Sequence, residues 1–302
     1  MESTFRTPDT SSVVVGVDGS QPARLAALWA AKEAERRDRP LHIVYGADTD
    51  GRALYLSAGT IERVRVNGRA LLADTAKAVS AEYPGLTVTT EFSRAGAVDS
   101  LHRAGGLHGT VVVGNRGLGG FDSLMLGSVG LDVAAAAMTP LIVVRGGDGT
   151  EETGTVLAAI RDEHDLLIAR YAAKEAELHK ASLRLLHVWN VLPSVGEVVS
   201  MLDGVDEIAS GHAEALRAVT DVVRDEFPDL EVQADAEKSI SVAGVLVEAS
   251  RHADLLVMGG RRVPGPLGLA PNLGMATHSL LHHAHCPVLL IPRTGSDFGS
   301  RS

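Results

Sequence analysis

Residues 111–128 read VVVGNRGLGGFDSLMLGS. The apolar run that ends at Gly114 has the character of a strand covered on both faces. Gly117, Gly119 and Gly120 follow, and Gly127-Ser128 opens a segment with helical periodicity to about residue 137. Glycines let the backbone turn tightly and bring bare amides close to an anion. Successive amides in such a turn form a concave nest. The helix behind it adds first-turn amides without intrahelical acceptors and the positive end of its dipole. Ser128 stands where an N-cap is expected, with a hydroxyl that can cap the helix or donate to a phosphate oxygen. Arg116 supplies a charged donor. The segment thus points to an anion, although glycines alone are equally what a plain surface loop contains.

Working outward, strands are expected at 13–18, 41–46, 86–92, 110–114 and 141–145. Helical segments are expected at about 21–37, 60–82, 97–105 and 128–137. Strands alternating with helices build right-handed βαβ units and a parallel sheet. Such sheets bind ligands at the carboxyl ends of their strands, where the strand order reverses.

The whole pattern then recurs. AAKEAE occurs at 30–35 and again at 172–177, an offset of 142 residues. LHIVYG (41–46) is answered by LRLLHVWN (183–190), and TPLIVVRG (139–146) by CPVLLIPR (286–293). Strands of the second copy are expected near 155–160, 183–189, 230–235, 254–258 and 288–292. The segment GGDGTEETG (146–154) has the composition of an exposed hinge. The expected organisation is an α/β chain of two domains, 1–147 and 154–294, with a tail at 295–302. Each domain is Rossmann-like, a five-stranded parallel sheet with helices on both faces.

Composition narrows the function. The 302 residues carry a formal net charge of −10, which argues against a nucleic-acid groove, because phosphate-backbone binding needs a clustered basic surface. No stretch approaches the length of a membrane-spanning helix. The start, MESTFRTPDTSS, is polar, without the apolar core of a secretory signal. Cys286 is the single cysteine, so no intrachain disulfide forms. A cytoplasmic location is expected.

Gly114-Asn115-Arg116-Gly117, nine residues, then Gly127-Ser128 matches G-x2-G-x9-G-(S/T), the signature that ATP-binding universal stress proteins carry. VVVGVDGS at the first strand and GSVGLDVAAAAMTPLIVV at the end extend the likeness, and both halves share it. The chain therefore resembles a tandem universal stress protein of the ATP-binding type. That resemblance implies a cofactor site made by Gly16, Val17 and Asp18, by Ile43 and Val44, and by Gly114, Asn115, Arg116, Gly117, Gly119, Gly127, Ser128 and Val129. Asp18 would lie near the ribose and adenine, and the backbone of Ile43 or Val44 would recognise adenine. The backbone of Gly114, Gly117 and Gly127 would hold the phosphates, with Ser128 beside them. Read from the residues alone, Asp18 is equally a turn residue in D-G-S.

The second copy departs from this pattern. Its loop reads VMGGRRVPGPLGLAPNLGMATHS (257–279). Gly259 is kept, Arg262 replaces the next motif glycine, and Met275 stands in the place of Ser128. Pro264, Pro266 and Pro271 each remove an amide donor. Arg161 or Ile160 takes the place of Asp18. The second copy is expected to bind ATP poorly or not at all.

Other chemistry is sparse. His278, His282 and His285 are spaced to share one helix face beside Cys286, but the spacing matches no standard zinc signature. They are read as a polar or subunit-facing stripe, Cys286 as a buried core residue, and no metal site is assigned. No G-x4-G-K-(S/T) loop and no nucleophile elbow occurs, so no catalytic residue is assigned and any ATPase activity should be weak. A dehydrogenase would need G-x-G-x-x-G after the first strand, where GVDGSQPARLA stands instead. The expected function is an ATP-binding stress-response or regulatory protein, with Mg2+ as the accompanying ion. An unidentified protein partner and a homodimer are expected, without nucleic acid or membrane. The alternatives are a nucleotide-independent interaction protein and a binder of another adenine nucleotide such as cAMP.

Overall fold

The computed structural model describes residues 12–51, 55–106, 109–115, 127–145, 152–190, 205–260, 262–263 and 272–292. The chain divides into two compact units, with the boundary after Arg145.

The first unit carries β1 (Ser12–Gly16), α1 (Gln21–Arg36), β2 (Leu41–Gly46), α2 (Ala58–Glu82), β3 (Val88–Ser93), α3 (Ala97–Gly105), β4 (Gly109–Gly114), α4 (Ser128–Ala135) and β5 (Leu141–Val144). Its strands run in the order β3-β2-β1-β4-β5 and every recorded pairing is parallel. The second unit carries β6 (Thr155–Ile160), α5 (Leu166–His179), β7 (Ser182–Asn190), α6 (Val205–Glu226), β8 (Val232–Ser239), α7 (Val242–Ala249), β9 (Leu255–Gly260), α8 (Met275–His283) and β10 (Val288–Pro292). Its order is β10-β9-β6-β7-β8, again parallel. These are the two Rossmann-like α/β domains that the alternating pattern implied.

The cores explain the composition. Val13, Val14 and Val15 of β1 and Ile142 of β5 are wholly buried, as strands covered on both faces must be. Helix α1 lies on them through Ala23, Ala26, Ala27, Ala30, Ala31 and Ala34, an alanine face with little side chain to hold helix and sheet apart. Helix α5 repeats the device with Ala169, Ala172, Ala173 and Ala176. Aromatic residues are scarce because alanine and valine already fill the space. Glu33, 1% exposed on the same helix, is buried against the Arg37 guanidinium at 2.6 Å, one helical turn away.

Register fixes which residues of the two halves correspond. Val13 stands opposite Leu41 and Val156 opposite Leu183. Val15 stands opposite Val112 and Ala158 opposite Val257. Counting along the strands, Asp18 corresponds to Arg161, Gly114 to Gly259 and Tyr45 to His187. In both sheets the order reverses between the first and fourth strands, β1 with β4 and β6 with β9. A parallel sheet opens a crevice at that point, beyond the strands' carboxyl ends.

Candidate functional site

Two helix N-termini face the crevice of the first domain, and they differ. Helix α1 is closed. Ser20 is its N-cap, and its hydroxyl accepts from the Ala23 amide at 3.2 Å. Pro22 has no amide to satisfy. Just upstream, one Asp18 carboxylate oxygen accepts from the Ser20 amide at 2.9 Å across Gly19, whose φ of +92° suits glycine. The turn role for Asp18 is thus realised with that oxygen.

Helix α4 is open. Its N-cap is Gly127, not Ser128 as the sequence suggested, and no side chain caps it. Ser128 is the first helical residue and is exposed, so its hydroxyl is not spent on the helix. The amides of Ser128, Val129 and Gly130 have no acceptor within α4, because the first intrahelical bond here runs from Leu131 to Gly127. Val129 is 42% exposed. An open helix start of this kind favours an anion through its amides and its dipole.

The loop between β4 and α4 is closed at its neck. The Gly127 amide donates to the Asn115 carbonyl at 3.0 Å, which brings the end of β4 to the start of α4. Arg116, Gly117 and Gly119 lie outside the described residues. Gly114 stands at the other wall. A β-carbon there would come within 2.7 Å of the Pro22 carbonyl oxygen and 3.1 Å of the Ala23 nitrogen. Only glycine allows the first turn of α1 to lie this close to the end of β4. This contact was missed from sequence, although Ser20-Gln21-Pro22 has the look of a capped helix start.

Gly16 and Val17 lie at the carboxyl end of β1, with the Val17 amide donating to the Val44 carbonyl at 3.0 Å. Ile43 and Val44 sit deeper. They are buried in the body of β2, between β1 and β3. The structure therefore gathers Gly16, Val17, Asp18, Gly114, Asn115, Gly127, Ser128 and Val129 around the strand ends, with Ile43 and Val44 beneath them inside the sheet.

The second domain keeps the open helix and changes its surroundings. Gly274 is the N-cap of α8 without a side-chain cap, and Met275, in the place of Ser128, is 90% exposed. On the β6 side two carboxylates are built in. Asp165, 2% exposed, accepts from the Arg161 amide at 2.9 Å. Asp162 accepts from the His164 amide at 3.1 Å and from the Arg161 side chain at 3.0 Å. The Ile160 carbonyl, at the end of β6, accepts from His187 Nδ1 at 2.9 Å. His187 Nε2 in turn lies 2.8 Å from His212 Nδ1, and His212 stacks on Trp189 with centroids 4.7 Å apart. Burial, and secondarily the neighbouring His187, hold the His212 pKa below the ordinary histidine value. No sequence motif announces this pair, whose members are 25 residues apart.

The family model for universal stress proteins matches residues 10–145 and again 152–292. The chain belongs to the universal stress protein family. A universal stress protein of Mycolicibacterium smegmatis is 28% identical, over 92% of this chain and 96% of its own length. One from Mycobacterium tuberculosis is 27% identical over 95% and 98%. The crystal structure of a universal stress protein from Archaeoglobus fulgidus shares the fold over 94% of this chain and 99% of its own, with a TM-score of 0.71 at 17% identity. Like these full-length relatives, this universal stress protein carries its domain twice. No helix among the described residues is long and apolar enough to cross a membrane.

The histidines of α8 correct the sequence expectation. The helix ends at His283, so His285 lies beyond it and the three do not make one stripe. His282 is 2% exposed, which rules out its place on a polar surface. Cys286 is buried, as expected of a core residue.

Proposed function

We propose that the first domain binds ATP, accompanied by Mg2+, and that the nucleotide acts as a regulatory ligand for a protein partner. The observation that carries this is the neck bond between Asn115 and Gly127, with an uncapped helix start behind it at the strand reversal. Amides of α4 and of the loop hold the phosphates. Asp18, anchored by the Ser20 amide, meets the ribose. Ile43 and Val44 form the floor beneath the adenine. Family membership and the intact G-x2-G-x9-G-S spacing support the same reading. The second domain binds no nucleotide, because three prolines remove amides from its loop and Arg161 stands in the place of Asp18.

The test is direct. The purified protein is denatured, any released nucleotide is identified, and ATP is then titrated against wild type, Asp18→Ala and Gly127→Pro, with cAMP as competitor. The expected result is one ATP per chain and weaker binding by both variants. ATP at a hundredfold excess over its Kd stabilises the first domain by about 2.7 kcal/mol, read as a rise in Tm. Two nucleotides per chain would overturn the half-site assignment. No affinity near cellular ATP concentrations would overturn the function.

A further inference from the structure

Helix α8 holds a feature that nucleotide binding does not use. His278 and His282 are one turn apart and converge: their Nε2 atoms are 3.2 Å apart, with ring centroids 4.3 Å apart and planes tilted by 46°. The two nitrogens meet edge to edge. In the neutral pair one Nε2 carries the hydrogen and the other accepts it, so the tautomers must differ. Two imidazolium rings would place N–H against N–H.

We propose that His278 and His282 chelate a divalent transition-metal ion through their Nε2 atoms. Imidazole binds zinc and its neighbours at about 2.0–2.1 Å. At that length a 3.2 Å separation gives an N–metal–N angle of about 100°, between the octahedral and tetrahedral values. Metal binding releases the shared hydrogen, and exposed His278 turns so that both Nε2 lone pairs meet at the ion. His282 is fixed by its burial, with Leu280 and Leu281 wholly buried beside it, while exposed His278 leaves the remaining coordination positions to water. Imidazole nitrogens without a carboxylate select zinc, nickel, cobalt or copper over magnesium and calcium. Among the described residues no third histidine, cysteine or carboxylate joins the pair, so the site is an open two-point chelate. The first domain supplies an internal control. Aligning Gly127 with Gly274 places Leu131 and Ala135 where His278 and His282 stand.

The experiment uses full-length, untagged protein and titrates Ni2+ and Zn2+ calorimetrically at pH 7.5, comparing wild type with His278→Ala and His282→Gln. His278 is exposed, so its variant folds, and circular dichroism checks the buried one. The expected result is one ion per chain at this site and at least tenfold weaker binding by His278→Ala. Bound Cu2+ should show magnetic coupling to two imidazole nitrogens, reduced to one in His278→Ala. Equal affinity of wild type and His278→Ala, or no binding by wild type up to millimolar metal, overturns the proposal. Loss of ATP binding leaves it untouched, because the two sites share no residue.

Discussion

The Gly127 amide lies 3.0 Å from the Asn115 carbonyl oxygen, and that bond joins the two ends of an eleven-residue excursion in the chain. It can be removed almost without touching the backbone. Gly127 has φ −66°, which is the angle proline imposes. Gly127→Pro therefore keeps the start of α4 and deletes the donor. A net hydrogen bond contributes about 0.5–1.5 kcal/mol. ATP affinity in a calorimetric titration should fall by up to about tenfold. Gly127→Ala retains the amide and serves as control.

Gly114→Ala should act through helix α1. The added carbon would meet the Pro22 carbonyl carbon at 2.8 Å, and backbone cannot swing aside as a side chain does. Overpacking of this kind costs about 1–3 kcal/mol. The measured outcome should be a lower urea midpoint for the first domain, together with weaker ATP binding.

The buried ion pair of α1 is a stability element. Glu33→Ala removes the carboxylate that meets the Arg37 guanidinium, whose side chain is only 9% exposed. Breaking a buried pair from one side costs about 3–5 kcal/mol. Chemical denaturation of Glu33→Ala should show that loss, and the double variant Glu33→Leu/Arg37→Leu should recover much of it.

Acid should weaken the second domain through His212. Its folded pKa is lowered, by burial first and by His187 second, from the ordinary value of 6.5. As pH falls through 6.5 the unfolded chain takes up a proton before the folded one does. The stabilising contribution is complete above that value and declines as pH falls from it towards the folded pKa. Thermal melts between pH 7.5 and 5 should show a shallower dependence in His212→Gln than in wild type.

The sequence made the architecture readable because its strands are unbroken apolar runs. The expected strand at 41–46 is observed at Leu41–Gly46, and that at 155–160 at Thr155–Ile160. Glycine spacing located the loop, since a strand end and a helix start must flank it. What escaped were contacts between segments distant in sequence. Nothing in Gly114 itself says that Pro22 occupies the space of its missing side chain. The cap of α4 was misplaced by one residue because serine is the commoner cap, whereas glycine in extended conformation serves here and leaves the serine exposed. The spacing of His278 and His282 put both on one helix face but did not say that their nitrogens converge. Their companion His285 lies past the helix end, where periodicity no longer applies.

The Pro22 carbonyl against Gly114 has a practical outcome. With so little room between them, a displacement of the strand end at the mouth of the loop should be felt in the first turn of α1. Hydrogen exchange at Ala23 or Arg24, in a helix that need never touch a ligand, becomes a gauge of what the loop is doing.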